Sequence, residues 1–312
     1  MSGKIDEKKN IVLVFLTGFI RVRGVVNWSS ISFIGFILGM SSLDLSSYIV
    51  PLIVFAVATF CILSFTFAIN NYHDVDSDRK NLRKIQINAI ASGVISKQTA
   101  AFLIITFVVI SLVVSILFKF EIFLLCALLL AWMWAYSSPP LRVKGRPGFD
   151  IIWHFFGFVL LVMWGSYISG SIDLINWLVA ISIGIFSCIA QVWNHINDYS
   201  SDKDSGTVTF AVWAGFDTAK KTLKMIVTIH MIFLIPLILL YSLSYLPTIL
   251  ILIAGVIIGL VGVISKKDTL ESSVYYFPVV FGGAVYISCL IYHINDLLGE
   301  PTLGLLHSIG II

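Results

Sequence analysis

Long apolar runs alternate with short polar connections over almost the whole chain. Each run has roughly the 20 residues that an α-helix needs to cross the hydrocarbon core of a bilayer. Lipid offers no water to pair backbone groups, so each run is predicted to be a helix. The sequence predicts nine spans, near residues 12–40, 47–70, 98–118, 120–136, 151–169, 173–194, 222–243, 245–264 and 273–294.

The first run is too long for one straight span, and it contains two charged side chains, Arg21 and Arg23. Charged groups inside a bilayer are costly. We therefore expect the beginning of this run to lie in the membrane interface and the span itself to start near Val25.

The composition of the 312 residues is that of a bilayer protein. Hydrophobic residues make up 58% and charged residues 12%, with a mean hydropathy of +0.98, whereas soluble domains are about half apolar and a quarter charged. The N-terminal MSGKIDEKKN is polar and is not expected to be a cleaved signal peptide. The four cysteines lie inside apolar runs and are interpreted as small core residues.

The basic residues orient the predicted spans. With nine spans the connections alternate between two sides, and Lys119 is the only one of the 20 basic residues that falls on one of them. Basic residues favour the cytoplasmic side of a membrane. The N-terminus and the polar segments after the second and sixth spans are therefore predicted to be cytoplasmic, and the C-terminus to lie outside.

A polar pattern, Asn-x-x-x-Asp-x-x-x-Asp, occurs at the cytoplasmic ends of the second and sixth spans. Its two copies, called here the first and second aspartate motifs, are Asn70, Asp74 and Asp78 in INNYHDVDSD, and Asn194, Asp198 and Asp202 in NHINDYSSD. Residues four apart share one face of a helix, so each motif can direct three oxygen ligands the same way. Such oxygens suit a hard cation such as Mg²⁺. Acids at helix ends also commonly just face water, but the recurrence favours a site.

Basic residues near the motifs indicate an anionic ligand beside the cation. They follow the first motif, lie within the second, or occupy a third cytoplasmic loop, YSSPPLRVKGRPG at residues 136–148: Arg79, Lys80, Arg83, Lys84, Lys203, Arg142 and Lys144. Acids interleaved with bases are typical of a metal-bridged diphosphate with direct Lys or Arg contacts. The bases of the third loop are alternatively no more than cytoplasmic anchors.

These segments together resemble the UbiA-type intramembrane prenyltransferases over nearly the whole chain. The likeness rests on the first motif with INAIASGVIS (87–96) after it, on YSSPPLRVK (136–144), and on the second motif followed by Gly206–Gly215. Ala89 departs from the pattern, since many members have a proline there. The resemblance implies a nine-helix protein that ionises a polyprenyl diphosphate and joins the chain to a lipophilic acceptor.

The resemblance also implies roles for residues of this chain. Two Mg²⁺ ions bridged by the diphosphate would be held by Asn70, Asp74 and Asp78 and by Asn194, Asp198 and Asp202. The catalytic residues would be Asp74, Asp78, Asp198, Asp202 and Tyr136, whose ring would stabilise an allylic cation. Direct diphosphate contacts would come from Arg23, Lys84, Arg142, Lys144 and Lys203. Tyr136 is alternatively an interfacial anchor, and Arg21 is a rival of Arg23.

The expected architecture is one transmembrane prenyltransferase domain over residues 1–312, an all-α integral membrane protein. Its helices would form a bundle around a central cavity that opens at the cytoplasmic side, with both motifs facing it. The constant offset between the motifs indicates a pseudo-repeat of four-helix units, with the ninth span left over. The expected partners are a polyprenyl diphosphate, a lipophilic acceptor and the lipid of the cell membrane, and no nucleic acid.

Two other functions stay open from the sequence. A divalent-cation transporter also needs acids, but along a path through the bilayer, whereas these acids cluster at one face. A prenyl-lipid binding protein without transferase activity would tolerate the loss of one motif, and neither is lost. The acceptor is not distinguished, since aromatic compounds, quinone precursors, glycerol-phosphate lipids, carotenoids and porphyrins are all used by proteins that resemble this one.

Overall fold

The computed structural model describes residues 11–79, 84–265 and 270–299. Within these ranges every regular element is helical, which confirms the predicted all-α class. The α-helices are α1 (Ile11–Val14), α2 (Val22–Leu38), α3 (Ile49–Asp78), α4 (Lys97–Phe118), α5 (Phe120–Ser137), α6 (Phe149–Ser169), α7 (Leu174–Asn197), α8 (Tyr199–Ser205), α9 (Phe210–Ala214), α10 (Phe216–Leu237), α11 (Leu246–Ser265) and α12 (Leu270–Leu297).

The long helices match the predicted spans. Eight helices among the described residues are long and apolar enough to cross a membrane, and a ninth span results if the bent pair Val12–Phe19 and Val22–Leu38 counts as one. The largest extensions beyond the predicted bounds are in α3, which continues to Asp78, and in α10, which begins at Phe216. The chain is therefore a multi-pass membrane protein.

The first apolar run is broken just before its first arginine. Residues Phe15–Phe19 form a π-helical turn, and the two helical pieces on either side of the break meet at 47°. Arg21, between them, has a φ of +55°, a left-handed conformation that costs energy for any residue with a side chain. The apolar helix resumes at Val22, close to the predicted start at Val25.

The described chain divides into two compact units, and the division after Val143 falls where the predicted four-helix repeat ends. The first unit contains the residues up to Phe33 together with Ser47–Val143. In it α3, α4 and α5 pack against one another. Gly24 of α2 lies against the ring of Phe67, and a Cβ at this glycine would be 2.6 Å from a ring carbon. A larger residue would therefore require the Phe67 ring to move.

The second unit contains Ile34–Ser46 and the described residues from Lys144 onward. Helix α7 packs on α6, α10 and α12, and α11 packs on α12. Around the end of α7 lies a buried core that includes Ile189, Val192, Ile196 and Leu223. This packing holds the helix end that carries the second motif.

One fully internal polar cluster links three helices of the second unit. The hydroxyl oxygens of Ser182 in α7 and Tyr286 in α12 are 3.0 Å apart, and Nε2 of His230 in α10 lies 3.0 Å from the tyrosine oxygen. All three residues are buried. Polar contacts between helices within lipid fix their alignment, because sliding one helix would leave these groups unpaired.

Candidate active site

The first aspartate motif lies on the last turns of α3, which stays helical through Asp78. The side chains become more enclosed toward the helix end: Asn70 and Asp74 are half-buried and Asp78 is buried, whereas Asp76 between them is exposed. The spacing thus places the three motif residues on the more protected side of the helix.

Arg142, from the loop at residues 136–148, contacts the first motif. Its Nη2 donates a hydrogen bond of 3.2 Å to Oδ1 of Asp74, with the arginine side chain 45% exposed and the aspartate 19%. The loop and the motif are far apart in sequence, and the structure brings this base and this acid together within the first unit. Asp74, which could bind a cation, and Arg142, which could bind an anion, therefore lie side by side.

The two arginines of the first run have different surroundings. Arg21 is half-buried, its Nη2 donates a 2.7 Å hydrogen bond to Oδ1 of Asn71, and Asp78 and Asp74 are close enough to stabilise its charge. Its Nε is buried and has no hydrogen-bond partner among the described residues. Arg23, which the sequence favoured for diphosphate contact, is exposed. The break before α2 is what turns Arg21 toward α3.

The second aspartate motif does not lie on one continuous helix, which corrects the uniform helix assumed from its spacing. Helix α7 ends at Asn197, and Asp198 has φ −90° and ψ 2° at the junction with α8. Backbone hydrogen bonds still cross the junction, from Asp198 N to Asn194 O (2.9 Å) and from Asp202 N to Asp198 O (2.8 Å). Asn194 and Asp198 are exposed and Asp202 is half-buried.

A buried polar group supports the second motif from within the unit. Asp150, at the start of α6, lies 3.1 Å from Nε2 of His195, the residue after Asn194. Its carboxylate also accepts hydrogen bonds from Gln191 Nε2 (3.0 Å) and from the backbone N–H of Gly148 (3.1 Å). Neither Asp150 nor this pairing was predicted. An acid directly before a predicted apolar span, together with a histidine inside a motif, was the available signal.

The remaining predicted residues are placed as follows. Tyr136 is half-buried near the end of α5, Lys144 is half-buried, and Lys84 is exposed in the short turn Lys84–Gln86. Lys203 is exposed in α8, with its Nζ 5.9 Å from the centre of the Tyr199 ring. Lys80, Arg83 and the two chain ends on which the predicted orientation also rests lie outside the described residues.

Oxygen-only donors at each motif fit a hard cation that shares its coordination with a substrate. Among the described residues, no three His, Cys, Asp or Glu side chains converge to hold an ion by themselves. Each motif instead offers two carboxylates and one amide oxygen. Mg²⁺ commonly binds through one or two carboxylates and completes its shell with waters and phosphate oxygens. The donor set therefore fits Mg²⁺ held jointly with a diphosphate.

The family model that matches this sequence is that of the UbiA prenyltransferase family, over residues 12–293. The chain belongs to this family. Among curated proteins none matches the sequence. Membership makes prenyl transfer the class of activity, and it confirms the resemblance seen in the two motifs and the YSSPPLRVK loop.

Solved structures share the fold of this UbiA family member at low sequence identity. A UbiA homologue from Archaeoglobus fulgidus, bound to GPP and Mg²⁺, is 19% identical with a TM-score of 0.62, covering 89% of this chain and 99% of its own. A digeranylgeranylglyceryl phosphate synthase is 17% identical with a TM-score of 0.69, covering 91% and 99%. An apo UbiA homologue from Aeropyrum pernix K1 is 16% identical with a TM-score of 0.65, covering 86% and 98%.

Proposed function

We propose that this UbiA family member transfers a polyprenyl group from a polyprenyl diphosphate to a lipophilic acceptor and releases diphosphate in a Mg²⁺-dependent reaction. The observation that carries the proposal is the contact of Arg142 with Asp74. It joins an anion-binding base to a cation-binding acid, as a metal-bridged diphosphate requires. The structures of the Archaeoglobus fulgidus homologue bound to GPP and Mg²⁺, and to DMAPP and Mg²⁺, support the use of a prenyl diphosphate together with Mg²⁺.

Each motif would hold one Mg²⁺, with Asn70, Asp74 and Asp78 at one ion and Asn194, Asp198 and Asp202 at the other. When bound, Mg²⁺ neutralises the charge that develops on the departing diphosphate. Arg142, Lys84, Lys144 and Lys203 would bind the phosphate oxygens, together with Arg21. Arg21 replaces Arg23 in this proposal because its side chain points to α3 and its buried Nε lacks a partner among the described residues.

In the reaction the carbon–oxygen bond to the diphosphate breaks, and its electron pair leaves on the diphosphate. A nucleophilic atom of the acceptor bonds to the same carbon and loses its proton. Tyr136 would face the positive charge on the allylic carbon with its ring. We place the reaction at the cytoplasmic side of the cell membrane, following the distribution of basic residues.

The test uses purified full-length protein, labelled geranylgeranyl diphosphate and a panel of lipophilic acceptors, with Mg²⁺ or with a chelator. We expect Mg²⁺-dependent formation of a prenylated product. Asp74→Ala should lower turnover by about 10²-fold or more, because a group that neutralises leaving-group charge is lost. Asp76→Ala is the matched control, since Asp76 lies on the same turn and is exposed. Near-normal turnover of the Asp74 variant would show that the first motif is not the metal site.

A further inference from the structure

Asn88, which follows the first motif in the loop before α4, is a fully satisfied buried amide. The residue is 1% exposed. Its Nδ2 donates to Oδ2 of Asp78 (2.8 Å) and to the backbone oxygen of Asn71 (2.9 Å). Its Oδ1 accepts from the backbone N–H groups of Ile90 (3.0 Å) and Ala91 (3.1 Å). An asparagine side chain offers two donors and one two-lone-pair acceptor, so every position is used and the amide has one orientation.

A second buried amide is that of Asn71 in α3, directly after the motif residue Asn70. It is 0% exposed, its Nδ2 donates to the backbone oxygen of Gly18 (2.6 Å), and its Oδ1 accepts from Arg21. Gly18 also lies against the loop of Asn88, because a Cβ on it would be 2.6 Å from the carbonyl oxygen of Ile87. The two amides therefore join three chain segments: the π turn, α3 and the loop after it.

The two ends of this network are the charged groups of the proposed site. One end is the carboxylate of Asp78, and the other is the guanidinium of Arg21. The hydrogen bond from Asn88 goes to Oδ2 of Asp78. A rotating carboxylate would have to be ordered when a cation binds, whereas one already held by a buried amide is oriented beforehand.

We propose that Asn71 and Asn88 are positioning residues, which set the carboxylate of Asp78 for the cation and the guanidinium of Arg21 for the diphosphate. This inference rests on the proposed function, since it assigns the amides to that site. Asn88 acts on cation affinity through Asp78, and Asn71 acts on diphosphate affinity through Arg21. Asn71 also places the backbone oxygen that receives the second hydrogen bond of Asn88, so the two effects are coupled.

The experiment measures binding without turnover. Mn²⁺ is titrated into full-length protein in detergent with inorganic pyrophosphate, and bound Mn²⁺ is followed by electron paramagnetic resonance. Asn88→Ala should weaken Mn²⁺ binding about tenfold, the lower end for loss of a group that orients a metal ligand. The Asp78→Asn variant completes a double-mutant cycle. Adding Asn88→Ala to it should weaken Mn²⁺ binding little further, because Asn88 acts through that carboxylate.

The control is Asn176→Ala, which removes an equally buried amide at the start of α7. Asn176 is 0% exposed, and its side chain bonds Ser166 Oγ and the backbone N–H of Asp173. Its loss should lower thermal stability without changing the Mn²⁺ affinity. If Asn88→Ala does not fold, Asn88→Gln is used, since it keeps the amide and displaces its donors from Asp78.

Unchanged Mn²⁺ affinity in the folded Asn88 variant, or equal weakening in the Asn176 variant, overturns the inference while leaving prenyl transfer intact. Absence of any Mn²⁺ and pyrophosphate binding by the unmodified protein overturns it as well. Conversely, a protein that binds both, responds to Asn88→Ala as expected and transfers no prenyl group to any acceptor supports the positioning role and contradicts the proposed function.

Discussion

The ends of α3 and α7 carry the same three residue types in different surroundings. On α3, Asp78 is buried against Asn88, and Asp74 contacts Arg142. In the second motif, Asn194 near the end of α7 and Asp198 at the junction with α8 are exposed. In the first case hydrogen bonds restrain the proposed ligands themselves. In the second they restrain the helix beneath, through residues such as Asp150 and His195.

This difference separates two ways of building an oxygen site. A restrained carboxylate loses little freedom when a cation binds, but its removal also disturbs the fold. An exposed carboxylate at a junction can adjust to its ligand, and its removal should disturb only binding. Asp78 of the first motif therefore couples function to stability, and Asp198 of the second motif separates them. Three pairs of substitutions test this contrast.

The largest effect is expected when one carboxylate of each motif is removed. Asp78→Ala and Asp198→Ala should each lower turnover by about 10²–10³-fold, the range seen when one group that stabilises developing charge is deleted. Asp78→Ala should also cost about 1–3 kcal/mol of stability, because it leaves a buried donor of Asn88 unpaired. Turnover and the midpoint of thermal unfolding in detergent are measured for both.

Asp198→Ala serves as the comparison for Asp78→Ala. Because the Asp198 side chain is exposed, we expect its removal to leave the unfolding midpoint unchanged. A fall in the midpoint as large as that of Asp78→Ala would mean that the second motif is as tightly built as the first. The distinction between the two motifs would then be wrong.

A smaller, structural effect is expected at Asp150. Asp150→Ala removes a buried carboxylate that accepts hydrogen bonds from Gln191 and the backbone of Gly148 and pairs with His195, and it should cost about 2–3 kcal/mol of stability. Asp217→Ala is the matched control, because Asp217 is also an acid in the first turn of a spanning helix but is exposed. Equal unfolding midpoints for the two variants would show that the buried group does not support the end of α7.

The smallest effect is expected at the loop that reaches the first motif. Arg142→Gln should raise the KM for the diphosphate donor about tenfold, as for the loss of one hydrogen bond to a charged group. Arg146→Gln, four residues along the same loop and also exposed, should leave it nearly unchanged. Equal small changes of KM in both variants would show that Arg142 does not bind the diphosphate and acts only as a membrane anchor.

The spans could be predicted because lipid leaves the backbone no alternative to helices, so hydropathy alone locates them. The two motifs could be predicted because their spacing repeats. The break at Asp198 could not be predicted, because no proline or glycine marks it in the sequence. It is also slight, since backbone hydrogen bonds still cross it. The continuation of α3 to Asp78 agrees with the helical spacing assumed for the first motif, although the hydropathy pattern ended that span at residue 70 because the last turns are polar.

The partners within the site could not be predicted either. Whether Arg21 or Arg23 turns toward α3 depends on a positive φ at one residue, which two neighbouring arginines do not reveal. Asn71 bonds a carbonyl in the π turn and Asn88 bonds the end of α3, and both partners are distant in sequence. Such pairings follow from packing, which a hydropathy pattern does not contain. The asparagine directly beside Asn70 and the one inside INAIASG were visible as polar residues, without a sign of what they touch.

The length of α3 ties the first motif to the thickness of the membrane. Its 30 residues, at about 1.5 Å each, form a rod of about 45 Å, against about 30 Å of hydrocarbon in a typical bilayer. The 24 residues of α7 give about 36 Å, so that helix has far less to spare. Surplus length is accommodated by tilt or protrusion. The acyl chains of the host lipid thus help to set the depth of the motif residues Asp74 and Asp78: short chains leave these carboxylates in water, and long chains bring them closer to the hydrocarbon.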